Sequence, residues 1–404
     1  WVPRALLLEN IHPLAVNVLA DAGYDVTTAK GALDEDELIL ALEGVSLLGI
    51  RSKTQVSDAV LAASDLDAIG AFCIGVNQID LASAASHGVA VFNAPFSNTR
   101  SVVELAVGEI IALTRRLTVQ NSSLHKGLWN KSADGAHEVR GRTLGIVGYG
   151  NIGTQLSVVA EALGMRVVFY DTAEKLALGN AQRMTSLEDL LDVADFVTLH
   201  VDGRPGNAGM FGAAQFARMK PGAVFLNLSR GFLVDYSALR ERILDGSVAG
   251  AAVDVFAHEP KSKGDDFESE LRGLPNVILT PHIGGSTEEA QHDIGQFVSG
   301  KLRDYVVQGA SYLSVNIPGL VLDIPRPGTH RITLLHRNVP GVMAQLNDAL
   351  AEHGANVEYQ VLGTWGEFGY AVTDVSGDVP EGVVRQLEEL STTVSVRLLR
   401  GPDA

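Results

Sequence analysis

Arg230, Glu259 and His282 each lie just beyond a short apolar run, and their types together suit one kind of chemistry. A guanidinium is a planar, permanently charged fork that matches a carboxylate. An imidazole titrates near working pH and can take the proton of a hydroxyl while hydride leaves the same carbon. A carboxylate bonded to the second ring nitrogen fixes the tautomer and raises the basicity of that imidazole, a role open to Glu259. The three types fit hydride transfer from a 2-hydroxy acid. Taken singly, each has an ordinary alternative: a surface ion pair for Arg230, a solvated turn for Glu259-Pro260, a capping or core histidine for His282.

What joins them is a hydride acceptor written elsewhere in the chain. In Leu144-Gly-Ile-Val-Gly-Tyr-Gly-Asn-Ile-Gly153 an apolar run breaks into Gly148, Gly150 and Gly153, a G-x-G-x-x-G pattern. The first glycine permits a tight turn, the second lets backbone N–H groups approach a pyrophosphate, and the third lets helix and strand pack closely. A helix-compatible segment, Thr154 to Leu163, follows, then a second apolar run that ends in Asp171. A carboxylate there accepts from both ribose hydroxyls of NAD and repels the extra phosphate of NADP. The expected cofactor is NAD.

The elements that must position these groups follow from the pattern. Arg4–Leu8, Asp25–Thr28, Ser46–Ile50, Leu66–Phe72 and Val89–Phe92 read as strands with helical segments between most of them, which predicts an open parallel sheet. A helical pattern from Ser101 to Arg116 leads into a second series. Its strands are Leu144–Val147, Val167–Tyr170, Phe196–His200, Ala223–Leu228, Gly250–Val255 and Val277–Thr280. Because this dinucleotide-binding sheet lies mid-chain and a helical pattern follows Ser286, the expected fold class is α/β with two nested doubly wound domains and a cleft between them. A Rossmann-type domain (99–284) is inserted in a flavodoxin-like one (1–98 and 285–326). Ligands sit beyond the carboxyl ends of parallel strands, and His200, Arg230, Asp254, Glu259 and His282 all arrive at such ends. His200 suits either cofactor contact or a buried structural role. Asp254 suits either the nicotinamide side or support of Arg230.

After Asp323-Ile-Pro-Arg-Pro-Gly-Thr329 the tail (327–404) reads β-α-β-β-α-β, a ferredoxin-like pattern. Its strands are Ile332–Leu335, Asn356–Leu362, Tyr370–Val375 and Val394–Leu399, and its helices Gly341–His353 and Pro380–Leu390. The chain has 404 residues, 46% of them hydrophobic, and a formal charge of −17. That charge argues against nucleic acid or an anionic membrane as a partner, and no apolar run is long enough to cross a bilayer. Cys73 is the single cysteine, which excludes an intrachain disulfide and a cysteine-based metal site; no metal is expected. No signal-peptide pattern is visible, and a reducing, cytoplasmic setting is expected.

Gly145 to Gln155, Ser229-Arg-Gly231, Ala251-Ala-Val-Asp-Val-Phe256 with Glu259-Pro260, and Leu279-Thr-Pro-His-Ile-Gly-Gly-Ser-Thr287 resemble the D-isomer-specific 2-hydroxyacid dehydrogenases. The likeness covers nearly the whole chain. Phe72-Cys-Ile-Gly-Val-Asn-Gln-Ile-Asp80, Val91 to Val102 and Gly127-Leu-Trp-Asn-Lys131 narrow it to members with a C-terminal ACT domain. The resemblance implies Arg230, Glu259 and His282 as the catalytic set. It implies NAD contacts at Asn151, Ile152, Asp171, Leu228, Ser229, Arg230, Asp254 and His282 to Gly285, with Gly284 and Gly285 among them. The implied activity is oxidation of D-3-phosphoglycerate (3-phosphoglycerate) to 3-phosphohydroxypyruvate, the first step of L-serine synthesis. Arg51, Ser52 and Lys53, at a strand end in the first domain, then become candidates for the substrate phosphate, with Asn98 and Lys131 by similarity. His336, Asn338 and Asn356 match residues that bind L-serine. A homotetramer is implied, with Trp129 and Lys131 on a segment associated with subunit contact. Two stretches depart from the family: Pro325-Arg-Pro-Gly328 is stiffer than the usual glycine-containing approach to the tail, and His200 to Gly209 lacks the usual proline-and-threonine pattern. Reduction of glyoxylate, hydroxypyruvate or 2-oxoglutarate, and a non-enzymatic role as an NAD-responsive corepressor, are the alternative functions.

Overall fold

A computed structural model describes residues 2–260, 264–377, 379 and 381–400. Contacts divide the chain into two compact units, Trp1–Ser97 with Gln291–Ala404, and Asn98–Ala290.

In the first unit, β1 (Arg4–Leu7), β2 (Asp25–Thr28), β3 (Leu47–Ile50), β4 (Ala68–Ala71) and β5 (Ala90–Phe92) form a wholly parallel sheet in the order β2-β1-β3-β4-β5. This is the flavodoxin-like order. Every residue of β3 and β4 is buried, as expected of strands covered on both faces. The intervening helices start where side chains cap them: Asp34 and Glu37 form a capping box, and Ser57 and Asp80 accept from Val60 and Ser83 N–H groups. Helix Glu288–Gln308 brings Val298 and Leu302 against β4, and Gly70 makes the approach possible, since a Cβ there would lie 2.7 Å from Val298 Cγ1.

The second unit carries β6 (Thr143–Val147), β7 (Arg166–Tyr170), β8 (Gln182–Arg183), β9 (Phe196–Leu199), β10 (Ala223–Asn227), β11 (Val248–Val253) and β12 (Val277–Leu279). The order is β12-β11-β10-β9-β6-β7-β8, all parallel, so the strand order reverses between β6 and β9. The short β8 was not foreseen; two exposed residues carry no apolar signal. The helix expected at Ser101–Arg116 runs from Thr99 to Thr114, and Arg116, at φ +53°, turns the chain into a second helix, Leu117–His125.

In the tail, β13 (Thr329–Arg337), β14 (Asn356–Trp365), β15 (Phe368–Ser376) and β16 (Thr393–Arg400) form an antiparallel sheet in the order β14-β15-β13-β16, with helices Val342–Glu352 and Glu381–Glu388. Pro380, the expected start of the second helix, lies outside the described residues. Strand β13 is longer at both ends than Ile332–Leu335. The polar residues that interrupt its apolar run are satisfied internally: Arg331 faces Asp374, its register partner on β15, in a buried pair of 2.6 and 2.7 Å contacts. The tail sheet joins the first unit. Phe92, Tyr305, Leu320, Leu335 and Tyr370 share one core, Arg331 Nη1 donates to the Gln308 and Asp323 carbonyls, and Arg397 stacks on Tyr305 at 3.9 Å. Both ends of the proline-containing stretch are thus anchored.

Candidate active site

The polar groups of the second unit gather where β6 and β9–β12 end. Each arrives there on a loop with its own backbone support. Strand β10 stops at Asn227, a buried amide whose Nδ2 donates to the Arg230 carbonyl (2.9 Å) and to the Tyr236 hydroxyl (3.0 Å). Its Oδ1 accepts from the Ser229 N–H and hydroxyl, and Tyr236 donates to the Val255 carbonyl at 2.6 Å. Burial pushes the Tyr236 phenol well above its ordinary value, so it stays a donor. Gly231 packs directly on the Phe256 carbonyl group, where any side chain would collide. The Arg230 loop is thereby fixed to the loop that carries Glu259.

From β11 the chain reaches Asp254, buried, which accepts from Thr280 Oγ1 (2.6 Å), Ile283 N–H (2.8 Å) and Gly284 N–H (2.8 Å). Those bonds hold the turn after β12. His282 occupies that turn at φ +54°, a conformation a non-glycine residue adopts only when its surroundings enforce it. Its Nδ1 lies 2.8 Å from Glu259 Oε2, and Glu259 Oε1 accepts from the Phe256 N–H at 3.0 Å. The Glu259 bond raises the His282 imidazole above its ordinary value, outweighing partial burial and the Arg230 charge. Burial pushes the Glu259 carboxyl up, but bonds from His282 and the Phe256 N–H, with the field of Arg230, bring it below the usual range. The structure therefore joins Glu259 and His282 directly and puts Arg230 close enough for its charge to act on both. Asp254 supports the His282 turn.

At β6 two of the three glycines sit where backbone crowds them. Gly148 sits at φ +94°, and a Cβ there would lie 2.5 Å from the His200 carbonyl oxygen. A Cβ on Gly153 would collide with the Gly148 carbonyl. Gly150 is the N-cap of helix Asn151–Ala162 and no side chain caps it, so the N–H groups of Asn151, Ile152 and Gly153 face outward at the positive end of the helix. Asp171, just beyond β7, is held by the Tyr149 and Ala173 N–H groups at 2.8 Å each. Leu228 is buried beside Ser229. His200 bonds the Thr198 hydroxyl through Nε2 (2.9 Å), burial lowers it to about 4, and its buried Nδ1 has no partner among the described residues. Asn98, at the start of helix Thr99–Thr114, presses its amide against Gly285 and leaves a buried Oδ1 without a partner among the described residues. A cradle that a Cβ would fill, an uncapped helix and a ring nitrogen seeking a partner all fit a dinucleotide.

Known proteins can now be set beside this geometry. The pattern of "D-isomer specific 2-hydroxyacid dehydrogenase, NAD binding domain" matches residues 107–284, and that of "AHAS small subunit-like ACT domain" matches residues 332–395. D-3-phosphoglycerate dehydrogenase 2 of Saccharomyces cerevisiae is 47% identical over 98% of this chain and 87% of its own. D-3-phosphoglycerate dehydrogenase of Escherichia coli K12 is 46% identical over 98% and 97%. The NAD complex of a D-isomer specific 2-hydroxyacid dehydrogenase from Lactobacillus delbrueckii ssp. bulgaricus is 25% identical, covers 74% of this chain and 96% of its own, and superposes with a TM-score of 0.64. This chain belongs to the D-isomer-specific 2-hydroxyacid dehydrogenases. It is an NAD-dependent dehydrogenase with a C-terminal ACT domain.

Other sequence-selected residues of this 2-hydroxyacid dehydrogenase belong to other loops and strands. The loop after β3 is shaped by Glu9, buried and at φ +61°, whose carboxylate accepts from the Arg51, Lys53 and Thr54 N–H groups. Ser52 and Lys53 are exposed. Lys131 lines an open groove of about 680 Å³ with Leu117, Leu124, Leu128 and Trp129, none of them a catalytic candidate. In the ACT domain His336 belongs to β13 instead of the expected turn. Its buried ring packs over Gly369, its register partner, with Nδ1 on the Arg337 carbonyl at 2.8 Å. Asn338 bonds the Gly366 carbonyl at one end of the sheet, whereas Asn356 opens β14 opposite Ser376 at the other. One copy does not bring the three together. Among the described residues no group of three or more acidic, histidine or cysteine side chains is arranged to hold a metal, and no helix is long and apolar enough to cross a membrane. Glu9 and Tyr236 carry no sequence signal because they bond backbone 19 or more residues away, whereas Asn227 and Thr280 act through the Arg230 carbonyl and the Asp254 carboxylate, contacts that only the folded loops create.

Proposed function

We propose that this dehydrogenase oxidises D-3-phosphoglycerate at C2 to 3-phosphohydroxypyruvate with NAD, the entry to L-serine synthesis. The observation that carries this reading is the 2.8 Å Glu259–His282 pair beside Arg230 at the strand ends that also hold the glycine turn. The full-length relatives named D-3-phosphoglycerate dehydrogenase support the choice of substrate. Arg230 grips the substrate carboxylate and the carbonyl oxygen as it forms. His282 accepts the C2 hydroxyl proton on Nε2, because Nδ1 is committed to Glu259. Glu259 stabilises the imidazolium that results. NAD, when bound, supplies the hydride acceptor; Gly148, Gly150 and Gly153 with the N–H groups at Asn151 and Ile152 would hold its pyrophosphate, Asp171 its ribose, and His200, Leu228, Ser229, Asp254, Gly284 and Gly285 would line its other end. We assign the substrate phosphate to Arg51, Ser52 and Lys53, with Asn98 and Lys131 as further contacts.

L-Serine is the proposed effector. His336 and Asn338 sit about 23 Å along the sheet from the Asn356 end, seven residues of strand. An amino acid bridging them therefore needs a second copy of the chain. The exposed Leu124, Leu128 and Trp129 likewise suit subunit contact, and a homotetramer in the cytoplasm is the proposed state.

The test is NADH formation from D-3-phosphoglycerate by the wild type and His282→Ala. Loss of a general base predicts a fall of about 10²- to 10⁴-fold with an unchanged melting temperature. A variant as active as wild type overturns the assignment, and a silent wild type favours the corepressor reading.

A further inference from the structure

Glu109 lies on helix Thr99–Thr114, is 4% exposed, and neither carboxylate oxygen has a hydrogen-bond partner among the described residues. The helix packs across β10, β11 and β12 and against helix Asn151–Ala162. Leu105 and Val102, one and two turns earlier on the same face, lie within 4 Å of a Cβ built at Gly284, where Asp254 Oδ2 also sits at 3.0 Å. Burial raises the Glu109 carboxyl, and the field of Asp254 raises it further. A carboxylate in apolar surroundings, without partners and facing a second carboxylate, is costly. The neutral acid is the form that this site tolerates.

We propose that Glu109 is a positioning residue for the hydride-transfer reaction: as a neutral acid it leaves Asp254 the lone charge behind the turn after β12, and so lets Asp254 hold His282 in place. The Asp254 carboxylate grips the Ile283 and Gly284 N–H groups, and those bonds maintain the left-handed backbone at His282. Ionising Glu109 sets a second negative charge against Asp254. Relief comes most cheaply by moving Asp254 away, which releases the turn and spoils the reach of the base. Burial, with Asp254 adding to it, pushes Glu109 up to about 8, so the transition falls just above neutrality.

The inference rests on the reading of His282 as the base, so the experiment has an arm that does not depend on turnover. The first arm is the pH profile of kcat in the oxidation direction for wild type and Glu109→Gln, an uncharged isostere. Beyond the rise that follows loss of the His282 proton, wild type should decline on the order of tenfold through the Glu109 ionisation, the penalty of a displaced catalytic group, and Glu109→Gln should lack that decline. Superimposable profiles overturn the proposal. The second arm is infrared difference spectroscopy of the wild type alone. A protonated-carboxyl stretch should persist at pH 7 and vanish with a midpoint near the same pH as the loss of kcat; its absence at pH 7 overturns the proposal whatever the substrate proves to be. A purely structural role for Glu109 would change the melting temperature but leave the alkaline limb in both proteins.

Discussion

At the scale of single residues, the chemistry depends on how His282 is held. The imidazole is half-exposed, yet its tautomer is fixed by one 2.8 Å bond to Glu259, and that bond is the largest influence raising it above its ordinary value. The sign follows. A raised histidine is protonated, and stabilised by Glu259, at low pH; both the charge and that stabilisation are lost as pH rises through the folded value. Oxidation needs the neutral base and therefore develops above the ordinary histidine range. Glu259→Gln removes the cause. The acid limb of kcat/KM should move to lower pH, kcat at its plateau should fall on the order of 10²-fold, and the melting temperature should drop more at pH 6 than at pH 9. An unmoved limb in the pH–rate profile would separate Glu259 from the base. Arg230, Glu259 and His282 were legible in the sequence because side chains of reactive type lie at consecutive strand ends. Glu9, Asn227 and Tyr236 were not. Their types are common in turns and helices, and only the folded backbone reveals that Glu9 reaches the loop 42 residues on, that Tyr236 reaches Val255, and that Asn227 braces the Arg230 turn.

Among the elements, the parallel strands other than β8 could be read to within one or two residues, most securely β3, β4, β6, β9 and β10, which are fully buried apolar runs with few alternatives. The tail shows where that signal fails. Arg331 and His336 look like strand-breaking polar residues until Asp374 and Gly369, their register partners, are seen to accept them. The same register sends Asn338 and Asn356 to opposite ends of the sheet, so an effector bridging them must join two copies. Titration with L-serine should inhibit the wild type. Asn338→Ala and Asn356→Ala should each raise the half-inhibitory concentration by about tenfold or more, as expected for bonds to a charged ligand. A wild type indifferent to serine refutes the regulatory role, and a response lost in only one variant refutes the bridge.

For the molecule as a whole, position in the chain carried as much information as any motif. A dinucleotide fingerprint at Gly148 leaves room for a complete flavodoxin-like sheet before it, and the helix from Glu288 to Gln308 returns to that sheet. The packing of the tail was beyond the sequence, because it depends on Arg331 and Arg397 reaching backbone and rings of the first unit. With a charge of −17, the protein must gather cations locally to hold a small acid that is anionic at both ends. We propose different cations for the two ends of that acid, Arg230 for the carboxylate and Arg51 with Lys53 for the phosphate. The most direct measurement is the ratio of kcat/KM for D-3-phosphoglycerate to that for unphosphorylated D-glycerate, with NAD as acceptor. Charged hydrogen bonds to the phosphate predict a preference of about 10²-fold or more. Equal efficiency on the two acids would contradict the account.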